Sequence, residues 1–400
     1  MAADEERVKA EAAEPLPPGS KWVECFGNSL GGPELEPLLA HTTLINVDWL
    51  VDFADRKVMP EREGVVPAWQ QLPSEAIVSL TQLRQTRYGD GLPVAVLSYG
   101  WAAKHHPDPT GEQLRRMLPA LRSMKNYKDP DYGVPTWGLV WDFMSLPQRG
   151  YTTKYDADHE DRTDYQLKRF IKGLKHINVW YGHSHVTTLV CDWPMPAGAQ
   201  NPHPIDVRGW CVFERHLSSI VKDGRCYLQL SLLPADAASM DWIDEVVEAC
   251  KGARRPPLAA DAFERLMRDS TASGAFKFTN GKDATNVCIP QYAEAFTRLL
   301  GTSKELGYGR LGWGAAEGEQ LAAALACAQR MDTAVAAETL LLHRNKLGTA
   351  GVRAIGKVIE AGALPRLKKF LNIEDNGADD ETREWIETVA RGAGCEMVTA

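Results

Sequence analysis

Val94-Ala95-Val96-Leu97-Ser98 decides the fold class of this chain. These five residues form a short, continuous apolar run directly after the breaker Gly91-Leu92-Pro93. Such a run is typical of a strand that is buried on both faces, and strands of this kind occur in parallel sheets covered by helices. The sequence therefore predicts an α/β fold with Val94–Ser98 as an inner strand.

Helical and strand patterns alternate downstream of this strand. The predicted order is helix 111–121, strand 136–143, helix 164–175, strand 186–191, helix 209–221 and strand 226–230. This order is typical of an open, doubly wound parallel sheet, in which ligands gather at the carboxyl ends of the strands. We expect Ser98-Tyr99-Gly100-Trp101 and the segment 142–148, which follow the first two strands, to lie at that edge. The polar loop 101–111 is a candidate for phosphate or ribose contacts.

Composition limits the classes of protein to which this chain can belong. Its 400 residues, 44% of them hydrophobic, suffice for two or three domains with apolar cores. A net charge of −8 argues against nucleic acid as a partner, because phosphate binding needs concentrated Lys and Arg. The eight cysteines are scattered without a Cys-x-x-Cys pair, which favours a reducing compartment.

The sequence further predicts a cytoplasmic protein without membrane association. No run of about 18 apolar residues occurs, and the N-terminus lacks the apolar stretch of a signal peptide. The predicted regions are a disordered tail (1–20), a helical N-terminal extension (21–90), the α/β domain (91–235), a helical linker (236–312) and a repeat region (313–400).

The repeat region is predicted from two similar segments. Leu340-x-Leu342-x-x-Asn345-x-Leu347 has the spacing of a leucine-rich repeat, and Leu371-x-Ile373-x-x-Asn376 repeats it, with Asn376 lying 31 residues after Asn345. Two repeats are fewer than the three or so that usually support themselves. We therefore expect them to dock on the linker or the α/β domain and to offer a concave surface to a protein partner.

The α/β domain resembles the TIR (Toll/interleukin-receptor/resistance) family over roughly residues 92–232. Val94–Tyr99 matches an apolar strand that ends in Ser-Tyr, and Val140-Trp141-Asp142 matches a strand that ends in Asp. Arg208-Gly209-Trp210-Cys211-Val212-Phe213-Glu214 stands where family members often carry Ser-x-Trp-Cys-x-x-Glu-Leu. The resemblance implies a flavodoxin-like open parallel sheet.

The chain departs from the TIR pattern at three places. Residues 149–163 form a polar, acidic insertion, Ser145-Leu146-Pro147-Gln148 differs from the family's usual loop, and Arg215 stands where the family favours Leu. A nearer resemblance is to proteins of unicellular algae and other protists that join such a domain to leucine-rich repeats. That resemblance implies an architecture rather than an activity.

The resemblance implies a role for Glu214. In catalytic TIR domains the glutamate of the Trp-Cys-x-x-Glu element is implicated in cleaving NAD between nicotinamide and ribose, so NAD would be a substrate and no resident cofactor is implied. The accompanying candidates for contacts with the nucleotide are Ser98, Tyr99, Trp101, Asp142 and Trp210. The alternative interpretation is structural: a glutamate in the first turn of a helix favours the macrodipole, while Trp210 and Cys211 pack on the sheet.

Three functions remain open from the sequence. The first is an intracellular signalling or assembly module that binds a protein partner through its repeats and can self-associate. The second is an NAD glycohydrolase that uses Glu214, and the third is a metal-dependent hydrolase built on histidines such as His105-His106 and His183-Ser184-His185. No metal site is assigned, because no carboxylate cluster accompanies these histidines. The absence of Gly-x-Gly-x-x-Gly, Walker and Gly-x-Ser-x-Gly motifs argues against dehydrogenases, P-loop enzymes and serine hydrolases.

Overall fold

A computed structural model describes residues 2–23, 31–56, 66–87, 91–126, 136–151, 159–252, 254–371 and 374–398. The fold is mixed α/β, as the sequence predicted, with two sheets that are mostly parallel. Part of the acidic insertion, residues 152–158, and Cys25 lie outside the described residues.

The first sheet has five strands in the order β1-β3-β2-β4-β5. The strands are β1 (Ile45–Asn46), β2 (Val94–Ser98), β3 (Gly138–Val140), β4 (Thr187–Val190) and β5 (Tyr227–Gln229). The last four are parallel, and β1 pairs antiparallel with β3 at one edge. All five residues of β2 are buried: Val94 and Val96 face one apolar core, and Ala95 and Leu97 face another.

Helices cover both faces of this sheet. Those of the N-terminal and central parts are α1 (Ala2–Ala13), α2 (Val47–Arg56), α3 (Leu80–Leu83), α4 (Glu112–Asn126), α5 (Asp142–Ser145), α6 (Asp164–Lys175), α7 (Ile177–Gly182) and α8 (Gly209–Leu217). They are followed by α9 (Ile243–Cys250), α10 (Ala260–Ala272) and α11 (Ile289–Thr302). Apolar residues of α2, α4 and α9 share the core of Ala95 and Leu97, and those of α7, α8 and α11 share the core of Val94 and Val96.

The predicted boundaries of the α/β domain are too narrow. β1 and α9 lie outside 91–235, yet β1 completes the sheet and α9 fills its core. Within the domain, the second strand is shorter than predicted, because it ends at Val140 and Asp142 begins the short helix α5. The helix predicted for 209–221 ends at Leu217.

The prediction of a disordered tail is wrong for residues 2–13, which form helix α1. The guanidinium of Arg84 donates to the carbonyl oxygens of Glu11 (2.7 Å), Ala12 (2.9 Å) and Glu14 (2.9 Å), and Lys172 forms an ion pair with Glu5 at 2.5 Å. A cation at the C-terminal end of a helix satisfies carbonyl groups that lack intrahelical partners. The composition of this segment favoured disorder. The helix was missed because Arg84 and Lys172, which hold it in place, lie far away in the sequence.

The second sheet consists of β6 (Glu305–Gly307), β7 (Thr339–Leu341), β8 (Lys369–Leu371) and β9 (Glu396–Val398), all parallel and in sequence order. The connecting helices are α12 (Ala315–Arg330), α13 (Gly348–Glu360) and α14 (Asp380–Gly392). This region therefore contains one strand–helix unit more than the two predicted repeats. Leu306-x-Tyr308-x-x-Leu311 lacks the asparagine that marks the other two, so the sequence pattern missed β6.

The second sheet is joined to the preceding segments through the fully buried Arg254. Its guanidinium donates to the carbonyl oxygens of Ser219 (3.1 Å) and Gly307 (2.9 Å), and its own carbonyl accepts from the indole of Trp313 (2.6 Å). The guanidinium also lies 5.0 Å from the centroid of the Tyr308 ring. One apolar core consequently runs from the N-terminal segment through the sheet to the repeats.

Asn345 satisfies four backbone groups between two repeat units. Its amide donates to the carbonyl oxygens of Tyr308 (2.7 Å) and Leu342 (3.0 Å), and its side-chain oxygen accepts from the backbone N–H groups of Leu311 (3.0 Å) and Trp313 (3.2 Å). Asn376 repeats part of this arrangement: its amide donates to the carbonyl oxygen of Leu342 (2.9 Å), and its side-chain oxygen accepts from the N–H of Leu347 (3.4 Å). These amides replace backbone pairing where the strands turn into helices.

We predict that Asn345→Ala lowers the free energy of unfolding by about 2–4 kcal/mol, because it leaves several buried backbone groups unpaired. Urea denaturation of the full chain measures the loss. Asn286→Ala, at an exposed position, is the comparison and should cost less. Equal losses in the two variants would contradict the importance given to the four-bond arrangement.

Candidate functional site

The candidate site lies at the carboxyl ends of β2 and β4, in the middle of the first sheet. From β2 the chain passes to β3 on one side and then to β4 on the other, so the strand order reverses between β2 and β4. Such a reversal leaves a crevice in which open α/β sheets bind their ligands. Ser98 ends β2 at this point, and α8 brings Glu214 to it.

Glu214 is held by the hydroxyl group of Ser98. Ser98 Oγ donates to Glu214 Oε2 at 2.7 Å, whereas the hydroxyl of Tyr181, which comes from α7, donates to the backbone carbonyl of Leu97 at 2.8 Å. The Ser98 and Tyr181 side chains are buried, whereas Glu214 keeps some exposure to solvent. Glu214 therefore lies at the border between the apolar core and the surface, at the carboxyl end of β2.

No described Lys, Arg or His side chain forms an ion pair with Glu214. Arg208 and Arg215 are its nearest basic residues in the sequence, but both are bound elsewhere. Arg215 forms an ion pair with Asp206, and the guanidinium of Arg208 donates to three backbone carbonyls. Glu214 is also the sixth residue of α8, beyond the first turn in which the macrodipole acts on a carboxylate. The alternative interpretation, in which Glu214 serves only to favour the macrodipole of its helix, is therefore weakened.

Burial raises the pKa of Glu214 to about 8, because the charged form loses its hydration. The negative charge of Asp142 adds to this rise, while the hydrogen bond from Ser98 lowers the pKa. At neutral pH the free protein consequently holds a protonated carboxyl group at the edge of the crevice.

Asp142 forms a second centre beside Glu214. Its carboxylate accepts from the Tyr99 hydroxyl (2.5 Å), the backbone N–H of Phe143 (2.6 Å) and the indole of Trp101 (3.2 Å). Burial raises the pKa of Asp142, and these three donors oppose the rise. Four of the five residues predicted to contact the nucleotide, Ser98, Tyr99, Trp101 and Asp142, thus lie with Glu214 at one edge of the sheet.

Trp101 and Trp210 have different surroundings. Trp101 is partly exposed, packs edge-on against Phe143 with ring centroids 5.7 Å apart, and stays beside Asp142. Trp210 instead donates from its indole to Asp283 in the linker at 3.0 Å and packs against Phe213. Trp101 is therefore the better candidate for contact with a ligand, and Trp210 holds the linker against α8.

Arg208 fixes the loop after β2. Its guanidinium donates to the carbonyl oxygens of Trp101 (2.8 Å), Asn201 (2.9 Å) and His203 (2.8 Å), and burial lowers its pKa. Bonds to three carbonyls tie the loop that carries Trp101 to the loop that precedes α8. The sequence marks Arg208 as part of a motif, but the contact with the Trp101 carbonyl spans 107 residues of chain, so no local pattern predicts it.

The loop 101–111 does not offer the N-terminus of α4 to a phosphate. The buried carboxylate of Asp108 already accepts from the backbone N–H of Leu114 at 2.8 Å, and burial raises the pKa of Asp108. The carboxylate of Asp108 would repel a phosphate at this position. Phosphate contacts at the first turn of α4 are therefore disfavoured.

The described histidines do not converge on a metal site. His183 lies within hydrogen-bond distance of the Gly31 carbonyl at 3.2 Å and accepts from the backbone N–H of His185 at 3.1 Å, while His106 accepts from the N–H of Asp108 at 3.0 Å. In the part of the chain that the structure describes, no group of three or more His, Cys, Asp or Glu side chains could hold a metal ion. The described residues thus provide no centre for a metal-dependent hydrolase.

Comparison with protein-family models, with curated proteins and with solved structures finds no match. The resemblance to TIR domains therefore depends on the residues of this chain alone. Among the described helices, none combines the length and the apolar character that crossing a membrane requires.

We predict that Glu214→Gln removes a pH dependence from the stability of the protein. The unfolded glutamate ionises near its ordinary pKa of 4.5, whereas the folded one holds its proton up to about 8. The wild-type free energy of unfolding should therefore fall as the pH rises from 5 to 8, because only the unfolded chain loses the proton in this window.

The glutamine amide in the variant does not ionise. The free energy of unfolding of Glu214→Gln, relative to that of the wild type, should therefore rise by on the order of 2 kcal/mol between pH 5 and pH 8.5. Urea denaturation at the two pH values measures the change. Glu294→Gln, on the exposed side of α11, is the control. A constant difference between Glu214→Gln and the wild type would show that Glu214 is ionised in the folded protein at neutral pH.

Proposed function

We propose that this chain is an NAD-cleaving enzyme of the TIR type, which breaks the bond between nicotinamide and ribose with Glu214 as its catalytic carboxylate. The observation that carries the proposal is a largely buried carboxyl group that accepts from the Ser98 hydroxyl and has no described cationic partner, placed where the strand order of a parallel sheet reverses. Structural glutamates that stabilise a fold are usually ion-paired when they are buried.

The fold supports this proposal. The four parallel strands follow the order 2-1-3-4 when numbered among themselves, which is the beginning of the flavodoxin-like order. The motifs on which the TIR resemblance depends meet in space: Ser98 contacts Glu214, and Tyr99 contacts Asp142.

The chemistry that we propose requires a carboxylate beside the ribose. The bond between C1′ and the pyridinium nitrogen breaks, and its electron pair stays on the nitrogen, so nicotinamide leaves as a neutral molecule. Positive charge develops on the ribose, where the carboxylate of Glu214 stabilises it. Water then attacks C1′ and gives its proton to Glu214, which releases it to solvent. The products are ADP-ribose, nicotinamide and one proton.

The positive charge of the substrate makes this mechanism compatible with the raised pKa of Glu214. In the free protein the carboxyl group is protonated below about pH 8. A bound pyridinium cation favours the ionised form, because an opposite charge nearby lowers the pKa of a carboxyl group. Asp142, held by three donors, supplies a second negative centre for the same cation.

We predict that the wild-type protein releases nicotinamide from NAD and that Glu214→Gln reduces kcat at least ~100-fold, because the amide neither carries the negative charge nor accepts the proton. Chromatographic measurement of nicotinamide tests this. Glu294→Gln should retain wild-type activity. Release that persists in Glu214→Gln would exclude Glu214 as the catalytic group, and no release from the wild type would exclude the activity.

The pH dependence of kcat/KM gives an independent prediction. Since the base must be ionised in the free enzyme, kcat/KM should rise with pH and level off above about 8. Initial rates at low NAD concentration between pH 5.5 and pH 9.5 measure the profile. A profile that is flat from pH 5.5 upward would contradict the assignment of a buried, protonated Glu214.

A second candidate function is that of a signalling or assembly module. The observation that favours it is a row of polar residues across the repeat sheet, formed by Glu305, Thr339, Lys369 and Glu396, which stand opposite one another in register. We propose this leucine-rich-repeat-like face as the surface for a protein partner, and the TIR-like unit as a site of self-association. The seven described cysteines are free thiols, consistent with a cytoplasmic protein.

A further inference from the structure

Two arginines of the repeat region hold a left-handed backbone conformation. The φ angle is 60° at Arg310 and 55° at Arg344. Residues other than glycine, asparagine and aspartate adopt this conformation rarely, because the Cβ atom crowds the backbone. Asp332 is the third such residue in the part of the chain that the structure describes, and it follows the C-cap of α12, where the conformation is common. Neither arginine follows a helix, so the end of a helix does not explain their conformation.

The two arginines occupy equivalent places at the carboxyl edge of the second sheet. In the parallel register Glu305 of β6 stands opposite Thr339 of β7. Arg310 follows the first of these at the same interval as Arg344 follows the second. The backbone N–H of Arg310 donates to the carbonyl oxygen of His343 at 2.8 Å, so the two loops run side by side. Neighbouring strands are about 4.8 Å apart, which allows two adjacent guanidinium groups to bind one ligand group together.

The ring of His343 packs the two loops against each other. A Cβ atom at Gly309 would collide with this ring, so the ring lies against the bare backbone of Gly309, next to Arg310. Burial lowers the pKa of His343, and the positive charges of Arg310 and Arg344 lower it further, so the imidazole is neutral at pH 7. His343 therefore fills the space beside the arginines and leaves the charge of this edge to them.

The positive charge of the two arginines is poorly balanced. Both side chains are exposed, and the Arg310 guanidinium forms no ion pair with a described carboxylate. Arg344 Nε lies 4.0 Å from Asp375 Oδ2, and an exposed pair at this distance stabilises little. Lys346, which is also exposed, follows in the same loop. This edge of the sheet therefore carries more positive charge than its ion pairs neutralise.

Two further carboxylates on this side of the sheet are bound elsewhere. Asp223 Oδ1 accepts from the backbone N–H of Arg225 at 2.7 Å, and Glu248 forms an ion pair with Lys251 at 2.5 Å. Among the described acidic residues, Asp375 alone comes within ion-pair distance of the two arginines.

We propose that Arg310 and Arg344 bind a phosphate group on a phosphorylated side chain of a partner protein. This inference rests on the second proposed function for its use of the repeat region as a partner surface. A phosphorylated serine or threonine carries a charge of about −1.5 to −2 at pH 7, which matches two guanidinium groups, whereas a carboxylate supplies a single charge. The planar fork of arginine also matches the oxygens of a phosphate in pairs.

The left-handed backbone supports a role in binding. Glycine adopts this conformation without steric cost, so glycine at the two positions would give the more stable loops. Strained backbone is concentrated at sites where a side chain has a function. The arginines therefore keep their places for what their guanidinium groups bind.

The face of the sheet beside the arginines suits a protein segment. Leu340 is buried, whereas Thr339 and Leu341 on either side of it keep some exposure. Since side chains alternate along a strand, these two lie on the open face, and the strand leads directly to the loop of Arg344. Gly307, which stands opposite Leu341 in β6, has no side chain. Leu341 is therefore open to an apolar contact with the segment that carries the phosphate.

The test measures binding of the full chain to a peptide library with a central phosphoserine and randomised flanks. The same library with serine or with glutamate at the central position, and inorganic phosphate as a competitor, complete the probes. The variants are Arg310→Gly and Arg344→Gly, because glycine tolerates the backbone conformation and removes only the side chain. Arg330→Ala, at an exposed position of α12, is the control.

We expect the phosphoserine library to bind the wild type, and each glycine variant to bind it at least ~10-fold more weakly, because each loses a charge-assisted contact. Arg330→Ala should bind it as the wild type does. The urea midpoint should rise in both glycine variants, because the backbone strain is relieved, so unfolding would not account for the lost binding.

Equal binding of the phosphoserine and serine libraries would overturn the phosphate site and leave the partner surface standing. Equal binding of the glutamate library would make the ligand a carboxylate, which also overturns the inference. Competition by inorganic phosphate at concentrations similar to those of the peptides would assign the arginines to a free phosphate compound and exclude the protein source. A lower urea midpoint in the glycine variants would assign the arginines to the fold alone, and no binding to any library would reject the partner surface as well.

Discussion

The site depends on the burial of one carboxyl group without a counter-charge. Glu214 reaches the carboxyl end of β2, where the Ser98 hydroxyl donates to it at 2.7 Å, and the basic residues on its own segment are used to tie loops together. The loss of hydration raises the pKa of Glu214, so its carboxyl group keeps the proton in the free protein. In the proposed reaction the cationic substrate supplies the missing charge, so a site that disfavours the ionised carboxylate in the free protein favours it once the substrate is bound.

The scaffold explains why this arrangement is rigid. Core residues lie on both faces of β2, and α8 packs on one of them, so the backbone of Ser98 and that of Glu214 belong to adjoining packed layers. Arg254 joins the segment after α8 to β6, which places the repeat units in contact with the same core. A partner bound to the repeat sheet would therefore act on a structure that is continuous with the site.

Helices and strands with a strong apolar periodicity could be predicted from the sequence. Those whose formation depends on contacts with distant parts of the chain could not. The strand Val94–Ser98 and the helix Asp164–Lys175 were predicted with their observed ends, because local burial patterns define both. Helix α1 was missed because Arg84 caps it from a distance, and β6 because Leu311 replaces the marker asparagine. The hydrogen bond from the Tyr181 hydroxyl to the Leu97 carbonyl was not predicted either, because it joins α7 to β2 across 84 residues of chain.

The most direct test of the account is the proton balance on binding of a carbocyclic NAD analogue that cannot be cleaved. Titration calorimetry at pH 7 in buffers of different ionisation enthalpy measures the protons released. We predict that the wild type releases about one proton per site and that Glu214→Gln releases none. The wild type should also release none when it binds an analogue with a neutral dihydropyridine ring. Tight binding without proton release by the wild type would contradict it, because Glu214 would then be ionised before the cation arrives.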